Sequence, residues 1–283
     1  MFETGKAGGE ETSPVFKWAG GKRGLAETLL PLIPEKFSVW CEPFFGGGAL
    51  LFRLRPQKAA VNDINADLMN AYAVIRDDVD ALVDELKKYR NTPDFFYAVR
   101  AWDRDKALYR DLSAVQKAAR LLYLNKTCYN GLYRVNAAGE FNVPFGRYRK
   151  PNIVNEAGLR AVSAYFNSAD IRFFATDYAA VLDELDPDAF VYFDPPYDPV
   201  SATSNFTAYS KEGFSRDEQI RLRLYCDELD RRGIRFMLSN ALTPFIREQY
   251  AAYSLTVVRA KRAISANGEK RGRIDEVVVR NYE

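Results

Sequence analysis

The sequence predicts an α/β fold, one sheet with helices and a helical insertion, and three observations predict it. Short apolar, β-rich runs alternate with stretches of helical periodicity on both sides of a helical middle. Several of those runs end in loops rich in glycine, proline or acidic residues, where open α/β sheets place ligands. At 283 residues with 47% hydrophobic content, the chain is long enough to bury one large core and carry a smaller appended part.

In chain order, residues 1–13 are polar and glycine-rich with acidic residues. They lack the apolar stretch of a signal peptide or membrane span and are expected to form a flexible tail. The first core strand is expected over 39–42, running into a glycine turn and a helix through Leu54; the second spans 59–62, with a helix from Asn65. From about 77 to 151 the pattern changes to several helices, then a run rich in Tyr, Asn, Gly and Arg that looks like a hairpin and suits partner recognition. Later strands are expected over 171–174, 190–193, 234–238, 255–259 and 274–280, the last two as a closing antiparallel pair. Residues 215–232 mix Ile220, Leu222, Leu224 and Leu229 with charges at helical spacing, giving a surface helix capped by Gly233. Residues 14–76 and 152–283 are thus expected to form the core domain, with 77–151 inserted in it.

The net charge is only +2, so composition alone does not announce a nucleic-acid binder. Between residues 126 and 150 there are five basic residues against one acidic, and between 259 and 273 six against one. On charge alone such runs read first as solvated surface. The absence of histidine removes histidine-triad and zinc-hydrolase chemistry from consideration. Cys41, Cys128 and Cys226 are widely spaced with no metal or redox pattern, as in reduced core positions of a cytoplasmic protein.

Asp194, Pro195, Pro196 and Tyr197 follow an apolar strand directly and would face a ligand crevice. Their chemistry suits an exocyclic adenine amine, a poor nucleophile because its lone pair is delocalised into the ring. Two acceptors gripping its hydrogens, the Asp194 carboxylate and the Pro195 carbonyl, favour a more tetrahedral and more reactive nitrogen. The proline rings stiffen the backbone, and Tyr197 can stack on a base. An ordinary Pro-Pro turn explains the prolines but not the acid and aromatic that flank them.

A second candidate is the turn Glu42-Pro43-Phe44-Phe45-Gly46-Gly47-Gly48, whose glycines allow close backbone approach and whose helix N-terminus offers N–H groups to a carboxylate. A tight strand-to-helix turn would use the same glycines without a ligand. Asp63, after the second strand, is placed where an acid commonly bonds ribose hydroxyls, while the glycine spacing departs from the dinucleotide fingerprint and argues against NAD. In Phe16-Lys17-Trp18-Ala19-Gly20-Gly21-Lys22, Trp18 can lie against a cofactor, Lys22 can meet its carboxylate and Lys17 can reach a phosphate or base, although a tryptophan beside two glycines is also a common structural feature. In the hairpin-like run, Tyr129 can fill the stack vacated by an extruded base and Arg134 can pair with guanine in bidentate fashion. Arg147 adds a cation on the same run, which reads equally as a basic surface hairpin packed on its own domain.

Together these segments resemble the DNA adenine methyltransferase (Dam) family, of the GATC-specific type, over nearly the whole chain after the tail. The landmarks are FKWAGGK (16–22), EPFFGGGAL (42–50), NDIN (62–65), NGLYRVN (130–136), EFNVPFGRY (140–148) and DPPY (194–197), with TSNFTAYSKEGFS from Thr203 and the ending RGRIDEVVVRNYE. The resemblance implies a Rossmann-like S-adenosylmethionine-dependent methyltransferase sheet with an inserted helical plus hairpin DNA-recognition domain. It implies cofactor contacts at Trp18, Lys22, Asp63 and Asp194, with Asp177 and Tyr178 as neighbours, and the glycine turn as their floor. It places DNA reading on Lys17, Tyr129, Asn130, Leu132, Arg134 and Pro144, with Tyr129 intercalating and Phe206 as a second wall for the flipped base. The partner it implies is double-stranded DNA, with no metal, no membrane and a monomer or weak dimer. Two rivals are methylation of a protein glutamine or an RNA, which an Asn at 194 would have favoured in the first case, and a DNA-binding regulator without catalysis.

Overall fold

The computed structural model describes residues 12–200, 214–260 and 274–283. A seven-stranded sheet has the order β3-β2-β1-β4-β5-β7-β6. Its strands are β1 Trp40–Glu42, β2 Lys58–Asn62, β3 Asp170–Phe174, β4 Phe190–Phe193, β5 Arg235–Ala241, β6 Ser254–Ala260 and β7 Ile274–Arg280. The first five run parallel, and β7 lies antiparallel between β5 and β6. The Rossmann-like α/β expectation holds. Strands β1 and β4 are buried along their whole length, which is why Trp-Cys and Phe-Val-Tyr-Phe read as unbroken apolar runs rather than alternating ones.

The expected strands and the observed ones differ chiefly at β5, which continues to Ala241. Ser239 and Asn240 look like the start of a loop, yet they pair with Val278 and Val277 of β7. The antiparallel pairing of β6 and β7 is as expected, but β7 enters the sheet between β5 and β6, a choice that local periodicity does not contain.

Helix Ala66–Asp77 is capped by the Asn65 side chain, and helix Arg216–Arg231 by Ser215, with Gly233 beyond its end at φ +74°. The latter helix buries Gln219, Leu222, Cys226 and Leu229 and leaves Leu224 exposed. Between β2 and β3, helices Val79–Lys87, Pro93–Arg100, Lys106–Asp111 and Ala114–Thr127 follow one another. Ala114–Thr127 opens with a Ser113–Gln116 capping box and packs on Ala66–Asp77 and Val79–Lys87. One apolar cluster runs continuously from Trp40 and Phe52 through Tyr72 to Phe96, Tyr123 and Phe141. A second, containing Val191, Phe193, Leu222 and Phe236, includes the inner side of helix Arg216–Arg231.

The run after Thr127 folds back on itself, with fewer strand pairs than a regular hairpin. Val135 bridges Phe141 and Cys128 bridges Phe145, both antiparallel, around a tip where Gly139 sits at φ +78°. Tyr129–Gly131 forms a 3-10 turn with Asn130 at φ +56°, and Pro144 has no N–H to give, so no continuous ladder can form. Among the described residues no helix is long and apolar enough to cross a membrane, and no group of three or more His, Cys, Asp or Glu gathers as metal ligands would.

Candidate active site

The chain leaves β1 towards β2 and β3 on one side of the sheet and returns to β4 and β5 on the other. At such a switch point the connections at the carboxyl ends of β1 and β4 diverge and leave a crevice. Register pairs Trp40 with Phe190 and Cys41 with Val191, so Glu42 ends one strand beside the strand that Asp194 follows.

The glycine turn after β1 is shaped by its packing. Gly46 and Gly48 have φ of +48° and +65°; a Cβ on Gly46 would lie 2.6 Å from the Trp18 ring, and one on Gly48 2.5 Å from Phe45. The Gly46 N–H donates to Asp63 Oδ2 at 2.9 Å, and the Tyr72 hydroxyl donates to the Gly46 carbonyl at 3.0 Å. Asp63 Oδ1 accepts from Asn65 N at 2.9 Å. Asn62, which the sequence did not single out, ties three strand ends together: its Nδ2 donates to the Pro43 and Thr176 carbonyls at 3.0 and 3.1 Å, and its Oδ1 accepts from Thr176 N at 3.0 Å. Phe44 packs on Tyr178 at 5.1 Å between ring centres. Glu42 is 3% exposed, and burial pushes its carboxyl up to about 8. Its Oε2 is buried with no hydrogen-bond partner.

Lys22 forms an ion pair with Asp194, Nζ to Oδ1 at 2.6 Å, and also donates to the Gly20 carbonyl at 2.7 Å. Its ammonium lies 4.7 Å from the centre of the Tyr197 ring, whose hydroxyl donates to Glu276 Oε2 at 2.7 Å. Burial raises the Asp194 carboxyl above the usual carboxylate range, and the Lys22 charge works in the opposite direction. Segment 16–22 therefore reaches both halves of the crevice, with Trp18 against the glycine turn and Lys22 on the acid after β4.

Beneath Asp194–Tyr197 lies a buried polar network of residues that sequence reasoning did not single out. Gln219 Nε2 donates to the Pro196 carbonyl at 2.8 Å, Asn240 Nδ2 donates to Gln219 Oε1 at 3.0 Å, and Asp198 N donates to Asn240 Oδ1 at 3.0 Å. The Asp198 carboxylate then accepts from Thr243 Oγ1 at 2.7 Å and pairs with Arg216 at 3.1 Å. A polar pair, Ser239-Asn240, at the end of an apolar strand was the only available signal.

Other candidates fall at different distances from this centre. Asp177 caps the short helix Tyr178–Asp183 and holds Arg221 through two bonds of 2.9 and 2.8 Å, which keeps its carboxyl below the usual range. On the hairpin side, Tyr129 is 54% exposed, Arg134 donates to Asn142 Oδ1 at 2.7 Å, and the Pro144 carbonyl accepts from Tyr129 N at 2.8 Å. Arg147 is exposed at φ +54°, and Leu132 is half-buried. The Lys17 ammonium lies 5.5 Å from the Tyr148 ring centre. Burial, with Lys17 and Arg23 adding repulsion, draws Lys126 down to about 8. Phe206 lies outside the described residues.

Residues 18–264 match the model of the family described as D12 class N6 adenine-specific DNA methyltransferase. The Type II methyltransferase M1.LlaDCHI of Lactococcus lactis subsp. cremoris is 41% identical over 271 residues, covering 95% of each chain. The Type II methyltransferase M.MjaIII of Methanocaldococcus jannaschii is 40% identical over 96% of this chain and 100% of its own. The DNA adenine methylase of Escherichia coli (strain K12) is 35% identical over 93% of each. With the family match spanning most of its length, and a glycine turn and an Asp-Pro-Pro-Tyr loop following adjacent parallel strands, this chain belongs to the D12 class of N6 adenine-specific DNA methyltransferases.

Proposed function

We propose that the protein transfers the methyl group of S-adenosylmethionine to N6 of an adenine turned out of a GATC duplex, with Asp194 and the Pro195 carbonyl accepting the amine hydrogens. The observation that carries this reading is the Lys22–Asp194 pair, set at the switch point beside the glycine turn that Trp18 covers. The residues present fit the cofactor. The turn leaves no room for a Cβ at Gly46 or Gly48, Asp63 supports it from β2, and the buried Glu42 oxygen still lacks a donor. S-adenosylmethionine supplies an electrophilic methyl carbon on a sulfonium.

Asp194, paired with Lys22, grips one N–H of the amine while the Pro195 carbonyl grips the other, which would leave the nitrogen lone pair free for the donor's methyl carbon. With the donor bound, forming the C–N bond would break the C–S bond, and the surplus proton on nitrogen would leave to solvent. Since nothing in the chain bonds covalently to either reactant, the rate comes from orientation and from acceptors placed where positive charge develops. Tyr197 stacks on the base, on the ring face opposite Lys22, and the proline rings keep the carbonyl from rotating away. Residues 77–151 make up the recognition part. Tyr129 enters the gap in the stack, Arg134 reads guanine, and Lys17, Asn130, Leu132, Pro144 and Arg147 hold the duplex. Phe206 is the second wall of the base pocket. The resemblance of these runs to GATC-specific members supports the target sequence.

The test pairs methylation mapping with a variant. DNA from cells making the wild-type chain is expected to carry N6-methyladenine in GATC. Asp194→Ala is expected to reduce tritium transfer from labelled cofactor by about a hundredfold or more while still binding the cofactor in calorimetry. Near-normal incorporation by that variant defeats the assignment of Asp194, and methylation confined to another sequence defeats the target.

A further inference from the structure

Asn125 stands in the last turn of helix Ala114–Thr127, 2% exposed, and spends its whole side chain on backbone. Its Oδ1 accepts from Lys17 N at 2.9 Å, and its Nδ2 donates to the Lys17 carbonyl at 2.8 Å and to the Gly131 carbonyl at 3.0 Å. One amide thus satisfies both backbone groups of one residue, as a neighbouring strand would, and fastens that residue to a loop more than a hundred positions away. We infer that Asn125 is a positioning residue that couples the DNA-reading loop to the catalytic acid by locking the main chain of Lys17 to Gly131.

The path on either side is short. From Lys17 the chain passes at once to Trp18, whose ring stacks on Tyr133 at 5.2 Å and lies against the glycine turn, and then through a tight turn, Gly21 N to the Trp18 carbonyl at 3.1 Å, to Lys22 on Asp194. On the other side Gly131 sits at φ +63° and so close to Lys17 that a Cβ would come within 2.6 Å of its side chain. Gly131 closes the turn that presents Tyr129 and Asn130. A shift of that turn on a duplex therefore reaches Lys17 through the Asn125 amide, and Lys17 is five residues from the lysine paired with Asp194. No other side chain of this size offers one acceptor and two donors in a plane. Aspartate keeps the shape but loses both donors, leaving two carbonyls facing a carboxylate.

The inference rests on the proposed reading of 129–134 as the DNA-reading loop, and the experiment separates the two. The sequence that the wild-type enzyme methylates is first mapped. Turnover is then measured on a duplex carrying it and on duplexes with one base pair of it changed, for wild type, Asn125→Asp, Asn125→Leu and Arg134→Ala. Asn125→Asp is expected to reduce the preference for the cognate duplex about tenfold or more, mainly in kcat, while calorimetric binding of S-adenosylmethionine stays near wild type. An unchanged preference, whatever the overall turnover, overturns the role of Asn125. Preference lost in Arg134→Ala but kept in both Asn125 variants overturns this inference alone, whereas preference kept in Arg134→Ala overturns the reading of the loop. Hydrogen exchange on the wild-type protein needs no variant to fold. Adding the cognate duplex is expected to protect 16–22 and 129–133 together, and protection confined to 129–133 overturns the coupling.

Discussion

At the scale of single residues, protonation decides what the crevice can do. In the proposed reaction Asp194 accepts an amine hydrogen only as the carboxylate, and burial already lifts it above the ordinary range against the pull of Lys22. Activity should therefore rise with pH through the Asp194 titration. Lys22→Met, which removes the opposing charge, should move the acid limb of the kcat/KM profile to higher pH, and a limb that does not move would separate Lys22 from the ionisation of Asp194. Glu42 allows a stability test. Its folded value of about 8 lies above that of an unfolded glutamate, so the native state binds the extra proton and stability falls as pH rises from the unfolded value towards 8. Glu42→Gln escapes that loss. Its thermal stability relative to wild type should increase between pH 5 and pH 8 by on the order of a few kcal/mol. Asp194, Tyr197 and Glu42 could be picked out as candidates from the sequence because each stands at or just after the end of an apolar strand. That Lys22 would meet Asp194 in the free protein, where a cofactor carboxylate was expected, was not legible, since 172 positions separate them.

At the scale of elements, the same glycine serves different ends. Gly48 begins helix Ala49–Leu54 in the left-handed region, with Phe45 and Phe52 packed where a side chain would go. Gly233 ends helix Arg216–Arg231 in the same region of φ, with open space around it. Gly48→Ala should cost about 2–4 kcal/mol in chemical denaturation, strain plus overpacking, and weaken cofactor binding. Gly233→Ala should cost about 1–2 kcal/mol and leave binding alone. Similar losses in both would mean that packing around the turn is not tight. Strand β4 and helix Arg216–Arg231 were easy to read because an apolar run and a capped amphipathic pattern are local signals. The end of β5 was not, because its Ser239 and Asn240 are polar residues buried by partners from β7 and helix Arg216–Arg231.

At the scale of the whole molecule, the loop Asp194–Tyr197 is held from below by groups drawn from three places. Gln219 of helix Arg216–Arg231 and Asn240 of β5 lie between the Pro196 carbonyl and the Asp198–Thr243–Arg216 cluster. Gln219→Leu keeps the apolar stem but leaves the Pro196 carbonyl and the Asn240 amide unpaired. It should lower kcat about tenfold with little change in the KM for DNA, and a KM effect alone would place Gln219 in the binding of DNA rather than in the set of the loop. The insertion of helices between β2 and β3 shares one apolar cluster with the sheet, so the recognition part proposed for 77–151 is packed into the core rather than hung from it.

Local pattern along the chain was enough to predict the class of fold and to mark the strand ends proposed to carry chemistry, because each depends on neighbours within a few positions. Tertiary structure alone decided that β7 enters between β5 and β6, that Lys22 meets Asp194, and that Asn125, Asn62 and Gln219 hold distant backbone in place. A buried amide has no periodicity to betray it: its meaning lies in which unpaired carbonyls the rest of the chain brings within reach, and that is settled only when the core closes.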